Sequence, residues 1–84
     1  MTTENMIRTS ITQVIRGNPL IVVAAKEDVA SYVLEIRANS FIKAGDTMDL
    51  PANINAGETI PTVKFRNEDG LQTIHSVRVL TSPL

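Results

Sequence analysis

The side chains able to do chemistry are few and scattered along the chain. His75, in the stretch TIHSVRV, is the single histidine. A general base needs a nucleophile within reach and an orienting carboxylate behind it. Ser76 follows His75 directly, but neighbours on a strand point to opposite faces, so the two read as structural or surface groups. One histidine without any cysteine cannot supply the usual zinc ligands. Asp46, Asp49, Glu58, Glu68 and Asp69 lie within one stretch of sequence, yet without the alternating spacing of a calcium loop. They read as turn caps and solvated acids. Paired-carboxylate hydrolysis requires a cleft, and the chain is short for one. KAGD and NAGE are single-glycine turns, with neither GxGxxG nor GxxxxGK[ST] around them, which leaves nucleotide binding unsupported. The sequence offers no catalytic, cofactor-binding or metal-ligating set, and it is read as non-enzymatic.

What must position these residues is a set of short strands. Four glycines punctuate the chain at RGNP, KAGD, NAGE and EDGL, each beside a polar turn former. Between them β-branched residues dominate, as strands require. From Met6 to Arg16, one parity carries Ile7, Thr9, Ile11, Gln13 and Ile15. The other is mostly polar, with Val14 its late apolar member. IPTVKFR sets Val63 and Phe65 against Thr62, Lys64 and Arg66, and Pro61 suits an edge strand or a strand's first residue. Residues 71–80 hold apolar side chains on both parities, as a strand covered on both faces would. NEDG between these two runs reads as a hairpin loop.

The middle of the chain supports two readings. Val29, Tyr32, Val33 and Ile36 recur at helical spacing, whereas strand spacing turns Tyr32, Leu34, Ile36 and Ala38 inward. The preferred reading is a hairpin, LIVVAA turning at KED into ASYVLEIRA. The phrase IKAGDT (42–47) returns as INAGET (54–59). Each copy offers an inward Ile, a glycine bend, an acid able to cap backbone N–H groups, and a Thr that restarts a strand. Gly45, Asp46, Gly57 and Glu58 are thus two equivalent corners, joined by a MDLPAN link. The predicted fold is all-β, a small antiparallel sandwich or barrel of about 5–7 short strands. An α+β fold with one helix near residues 25–38 is the alternative.

Eighty-four residues make one domain, 1–84, near the lower limit for folding without staples. With no cysteine and only Tyr32, Phe41 and Phe65 as aromatics, the core is aliphatic. Each such side chain is worth roughly 1.5–3 kcal/mol when buried. That opposes about 1–2 kcal/mol of ordering per residue, so help from partner subunits is expected. Eight basic and nine acidic residues are interspersed, giving a net charge of −1. The longest apolar run is too short for a bilayer and MTTENMIRTS lacks the order of a signal peptide, so cytoplasmic synthesis is expected.

The leading expectation is a structural or interaction protein that packs against copies of itself or a larger assembly. In texture it is similar to the cement, decoration and tail or capsid accessory proteins of phage virions. Its contacts would be edge-strand backbone, the two corners, exposed aliphatics, and the chain ends MTTENM and TSPL. The alternative is an OB-type barrel that binds single strands on a basic groove with aromatic platforms. Lys64, Arg66 and Arg78 would line the groove, with Tyr32 or Phe41 as platforms. GNPL, YVLEIR and RVLTSPL, in that order, resemble the small single-stranded-DNA-binding proteins of filamentous phages. That resemblance implies a barrel that dimerises and coats nucleic acid, the one reading in which nucleic acid is a partner.

Overall fold

A computed structural model describes residues 5–26, 30–37 and 41–83. Six strands form: β1 (Met6–Ile15), β2 (Leu20–Lys26), β3 (Ala30–Ile36), β4 (Thr47–Pro51), β5 (Thr59–Asn67) and β6 (Gly70–Thr81). All pairings are antiparallel, and the sheet closes in the order β1-β2-β3-β6-β5-β4. The fold is therefore the small all-β barrel expected. The alternative helix does not form, because residues 30–36 are strand β3. No helix among the described residues is long and apolar enough to cross a membrane.

The β2–β3 hairpin follows directly from alternation. Leu20, Val22 and Ala24 face inward opposite Ile36, Leu34 and Tyr32. Ala38 and the KED turn lie outside the described residues. Val22 and Ala24 stand opposite the larger Leu34 and Tyr32, which lets the two strands interdigitate in a narrow interior. The two strands are joined to β1 through a tight turn that holds a cis Asn18–Pro19 peptide.

Three expectations are corrected. In β1, Thr12 is an extra residue, and the pairing with β2 shifts between Ile11 and Gln13. The bulge inverts the inward parity. Val14 then packs on the core while Ile15 is 50% exposed. Thr9 faces inward, fully buried, and its Oγ1 donates to the Met48 carbonyl at 2.7 Å, which satisfies the hydroxyl.

In β6, Ile74 and Val77 both point inward, with His75 and Ser76 both exposed between them. Ser76 has φ of +59°, a left-handed conformation rare outside glycine. The apolar residues of both parities thus mark a strand that changes phase, and Leu71 and Leu80 remain exposed. β5 changes phase at the same level, since Ile60 and Val63 are buried with Pro61 and Thr62 exposed between them. The ladder keeps its register through this point, Ile60 opposite Val77 and Val63 opposite Ile74. Two paired strands rotating together coil the wall around the barrel. Pro61 therefore sits inside β5 at a bend, and is not the strand's first residue.

The third correction concerns MDLPAN. Residues 47–51 are strand β4, with Met48 and Leu50 in the core, and are not a link. Its five residues are bonded on one side to β1 over their whole length, but to β5 only from Thr47 to Asp49.

Candidate functional site

The repeated phrase builds the same turn twice. Gly45 N–H donates to the Ile11 carbonyl at 2.8 Å, and Ile11 N–H donates to the Asp46 carbonyl at 2.8 Å. At the second copy Gly57 N–H donates to the Val79 carbonyl at 2.7 Å, and Val79 N–H to the Glu58 carbonyl at 2.9 Å. Asp46 Oδ2 accepts from Lys43 N–H at 2.9 Å, and Glu58 Oε1 from Asn55 N–H at 3.1 Å. Gly45 and Gly57 hold φ of +100° and +91°, where an L side chain is strained. Ile42 and Ile54 anchor the corners in the core. Each corner extends a ladder and precedes a strand, one before β4 and the other before β5. Because β4 and β5 run in opposite directions, the corners brace opposite ends of the barrel.

Carboxylates and cations are spread over the surface. Lys43 Nζ donates to Glu68 Oε1 at 2.9 Å, Arg8 Nε to Asp49 Oδ1 at 3.4 Å, and Arg37 Nε to Glu35 Oε1 at 3.1 Å. The bond and charge of Lys43 hold the Glu68 carboxyl below its ordinary range, and Glu68 raises the Lys43 ammonium above its own. Solvent screens exposed pairs of this kind, so they contribute little to stability. Among the described residues no group of three or more His, Cys, Asp or Glu side chains is placed to hold a metal. His75 stands exposed on the outer wall of β6, opposite Thr62. Ser76 also faces outward, contrary to the alternation expected of the pair.

The five residues of the nucleic-acid reading do not converge. Tyr32 is 3% exposed and is part of the core, so it cannot serve as a stacking platform. Phe41 is 71% exposed and shares a hollow of about 260 Å³ with Arg16, Lys43, Asn67 and Asp69 at one barrel end. Lys64 and Arg66 stand on the outer wall, beside the Arg8–Asp49 pair. Arg78 pairs with Thr59, five positions from Lys64, or about 17 Å along the strand. Six strands also replace the five of an OB barrel.

What the sequence reading misses is an opening in the wall. Beyond Asp49, β4 and β5 part, and Thr59, Ile60, Thr62 and Val63 have a ladder partner in β6 but none on the β4 side. The gap is a groove of about 790 Å³ lined by Asn5, Met6, residues 51–54 and residues 58–62. Its lining is mixed: Met6, 49% exposed, Pro51, Ala52 and Pro61 stand beside Asn5, Asn53, Thr59 and Thr62, and Glu58 is its one charged lining residue. Closure should remove every edge, yet the ladders leave strand backbone without a neighbour here and along β6, where only Arg78, Val79 and Thr81 pair with β3. The signals of the groove were a proline inside an otherwise alternating strand and a five-residue β4 against a nine-residue β5.

Comparison with protein-family models, curated proteins and solved structures finds no match.

Proposed function

We propose that the chain is a non-enzymatic structural or interaction protein that self-assembles or decorates a larger assembly, such as a phage virion accessory of the cement, decoration, capsid or tail type. One observation carries this reading: the barrel leaves residues 59–63 of β5 without a partner on the β4 side, beside a groove of mixed polar and apolar lining. Backbone N–H and C=O groups on a strand edge are strong, directional partners for another chain. Ile15, Phe41 and Leu71 add exposed apolar surface elsewhere on the wall and at the opposite end. The aliphatic interior supports the same reading, since a domain this small gains from further burial against a neighbour.

The single-strand-binding reading keeps one specific observation, the wall of Arg8, Lys64 and Arg66 around Asp49. Mass in solution over a concentration series tests the leading reading, with a mass above the monomer expected. Retention on single-stranded DNA that weakens steeply with salt, through counterion release, would instead favour the alternative. A monomer at every concentration that binds neither itself nor DNA would refute both.

A further inference from the structure

We propose that the outer face of the β5–β6 ribbon is a docking face for the acidic surface of a different protein chain. The proposal rests on the assembly reading above, in its decorating form, and names the chemistry of the partner. Charge is divided unevenly along the sequence. β5 and β6 hold Lys64, Arg66, His75 and Arg78 without one Asp or Glu, whereas the rest of the chain holds five basic residues against nine acidic ones. The fold turns all four of these groups outward. Each is exposed, and the ladder sets Lys64 opposite Thr73, Thr62 opposite His75 and Thr59 opposite Arg78. From the level of Arg66 to that of Thr59 is seven positions, so cations and hydroxyls share one wall about 24 Å long. Among the described residues Arg8, Arg37 and Lys43 have a carboxylate within 4.0 Å, and Lys64, Arg66 and Arg78 have none. Asp49, across the ladder from Lys64, is engaged by Arg8. Lys64 and Arg66 stand two positions apart on one face, about 7 Å, and repel each other until an anion lies over them.

A second copy does not supply that anion. An isologous contact through this wall sets cations against cations. The described acids offer no matching face either. Glu35, Asp49 and Glu68 pair with cations of their own, and Asp46 is buried and accepts from Lys43 N–H. Glu58 and Asp69 remain, one just before β5 and the other between β5 and β6, at opposite ends of the ribbon. The wall also fits single-stranded nucleic acid poorly. Phe65, the only Phe, Tyr or Trp of the two strands, is turned into the core, so bases find no ring of that kind to stack on. An acidic protein surface needs only the cations and hydroxyls that this wall presents, and complementary charge fixes its orientation.

The probes are labelled poly-L-glutamate and a single-stranded oligothymidylate matched to it in charge, with binding read by fluorescence anisotropy. The full chain should bind polyglutamate more tightly than oligothymidylate, and less tightly as salt rises. Lys64→Gln, Arg66→Gln and Arg78→Gln together should lower that affinity about tenfold, roughly what three exposed charge pairs supply. Lys26→Gln, Arg37→Gln and Lys43→Gln together remove the same charge elsewhere and should leave the affinity in place. Circular dichroism reports that both variants keep the barrel; Arg66→Gln and Arg78→Gln singly make the same comparison if the triple variant does not. Equal losses in the two sets overturn the assignment to this wall. Tighter binding to oligothymidylate overturns it in favour of the nucleic-acid reading. With no binding to either probe the docking face falls. A mass above the monomer in that case leaves the assembly reading standing, and a monomer removes both.

Discussion

Replacing Gly45 and Gly57 with alanine, singly and together, isolates the backbone contribution of the repeated corner. A Cβ built at either position meets nothing within 4 Å, so steric crowding does not enter. What remains is the conformation, φ of +100° and +91°, which an L residue occupies at a cost of roughly 1–2 kcal/mol. The two corners make the same hydrogen bonds, so the two single variants should lose the same amount. Thr47, beside the first corner, pairs with Arg66, seven positions along β5 from Thr59 beside the second, so the corners stand about 24 Å apart by strand rise and share no partner. Changes so separated add to within about 0.5 kcal/mol, so the double variant should lose roughly 2–4 kcal/mol. For a domain of this size each kcal/mol lowers Tm by about 4–8 °C. Urea titration followed by circular dichroism gives the free energies, with an unchanged slope expected because the exposed surface on unfolding is the same. Should one alanine be silent while the other destabilises, the claim of equivalent corners fails. A double variant far from the sum would show that the two ends of the barrel are coupled.

Other expectations follow from single contacts. Thr9→Val keeps the shape but leaves the buried Met48 carbonyl without its hydroxyl partner, and should lose about 1–3 kcal/mol by thermal melt. Ser76→Val forces a β-branched residue into φ of +59° and should cost about 1–2 kcal/mol, whereas His75→Val beside it should stay within about 0.5 kcal/mol. Leu34→Ala empties the centre of β3 and should cost about 2–5 kcal/mol, read by urea midpoint. The Lys43–Glu68 pair sets a pH dependence of known sign. Glu68 is depressed in the fold, so its contribution is present above the ordinary glutamate range and is lost as pH falls through the lowered value. Lys43 is raised, so its contribution is present below the ordinary lysine range and fades as pH rises through the raised value. Carboxyl NMR titration should find the Glu68 midpoint returning upward in Lys43→Met; an unmoved midpoint would remove the pair as the cause.

Legibility in the sequence tracked how regular each strand is. Clean alternation in LIVVAA and YVLEIR fixed the β2–β3 hairpin and its inward residues. The same alternation places Tyr32 beside Leu34 and Ile36, so a stacking role on the surface was incompatible with the strand that contains it. β1 and β6 were legible only up to their irregular residues. One bulged Thr and one left-handed Ser invert the parity downstream, and neither residue type announces this, since Thr and Ser are ordinary on a strand's wet face. β4 escaped notice because five residues ending in proline carry too little pattern to separate a strand from a connection. The corners were visible because they are local, a turn and a cap within six residues. The seam was not, because it arises from the mismatch of two strands whose lengths only the closed sheet defines.

Closure of this wall also sets the order in which it can be made. The β1–β2, β2–β3 and β5–β6 ladders join neighbours in the chain and can zip from their turns. The β1–β4 ladder cannot: Thr9 meets Met48 across 39 positions, and β3 must find β6 over a longer interval still. Long intervals must be bridged before their contacts give any return, which slows chains of this architecture into the range of milliseconds to seconds. Two three-stranded halves, β1 to β3 and β4 to β6, would then wait with bare flanks until they dock. During that interval the crowding of like chains, rather than the strength of the finished barrel, decides how much protein is recovered.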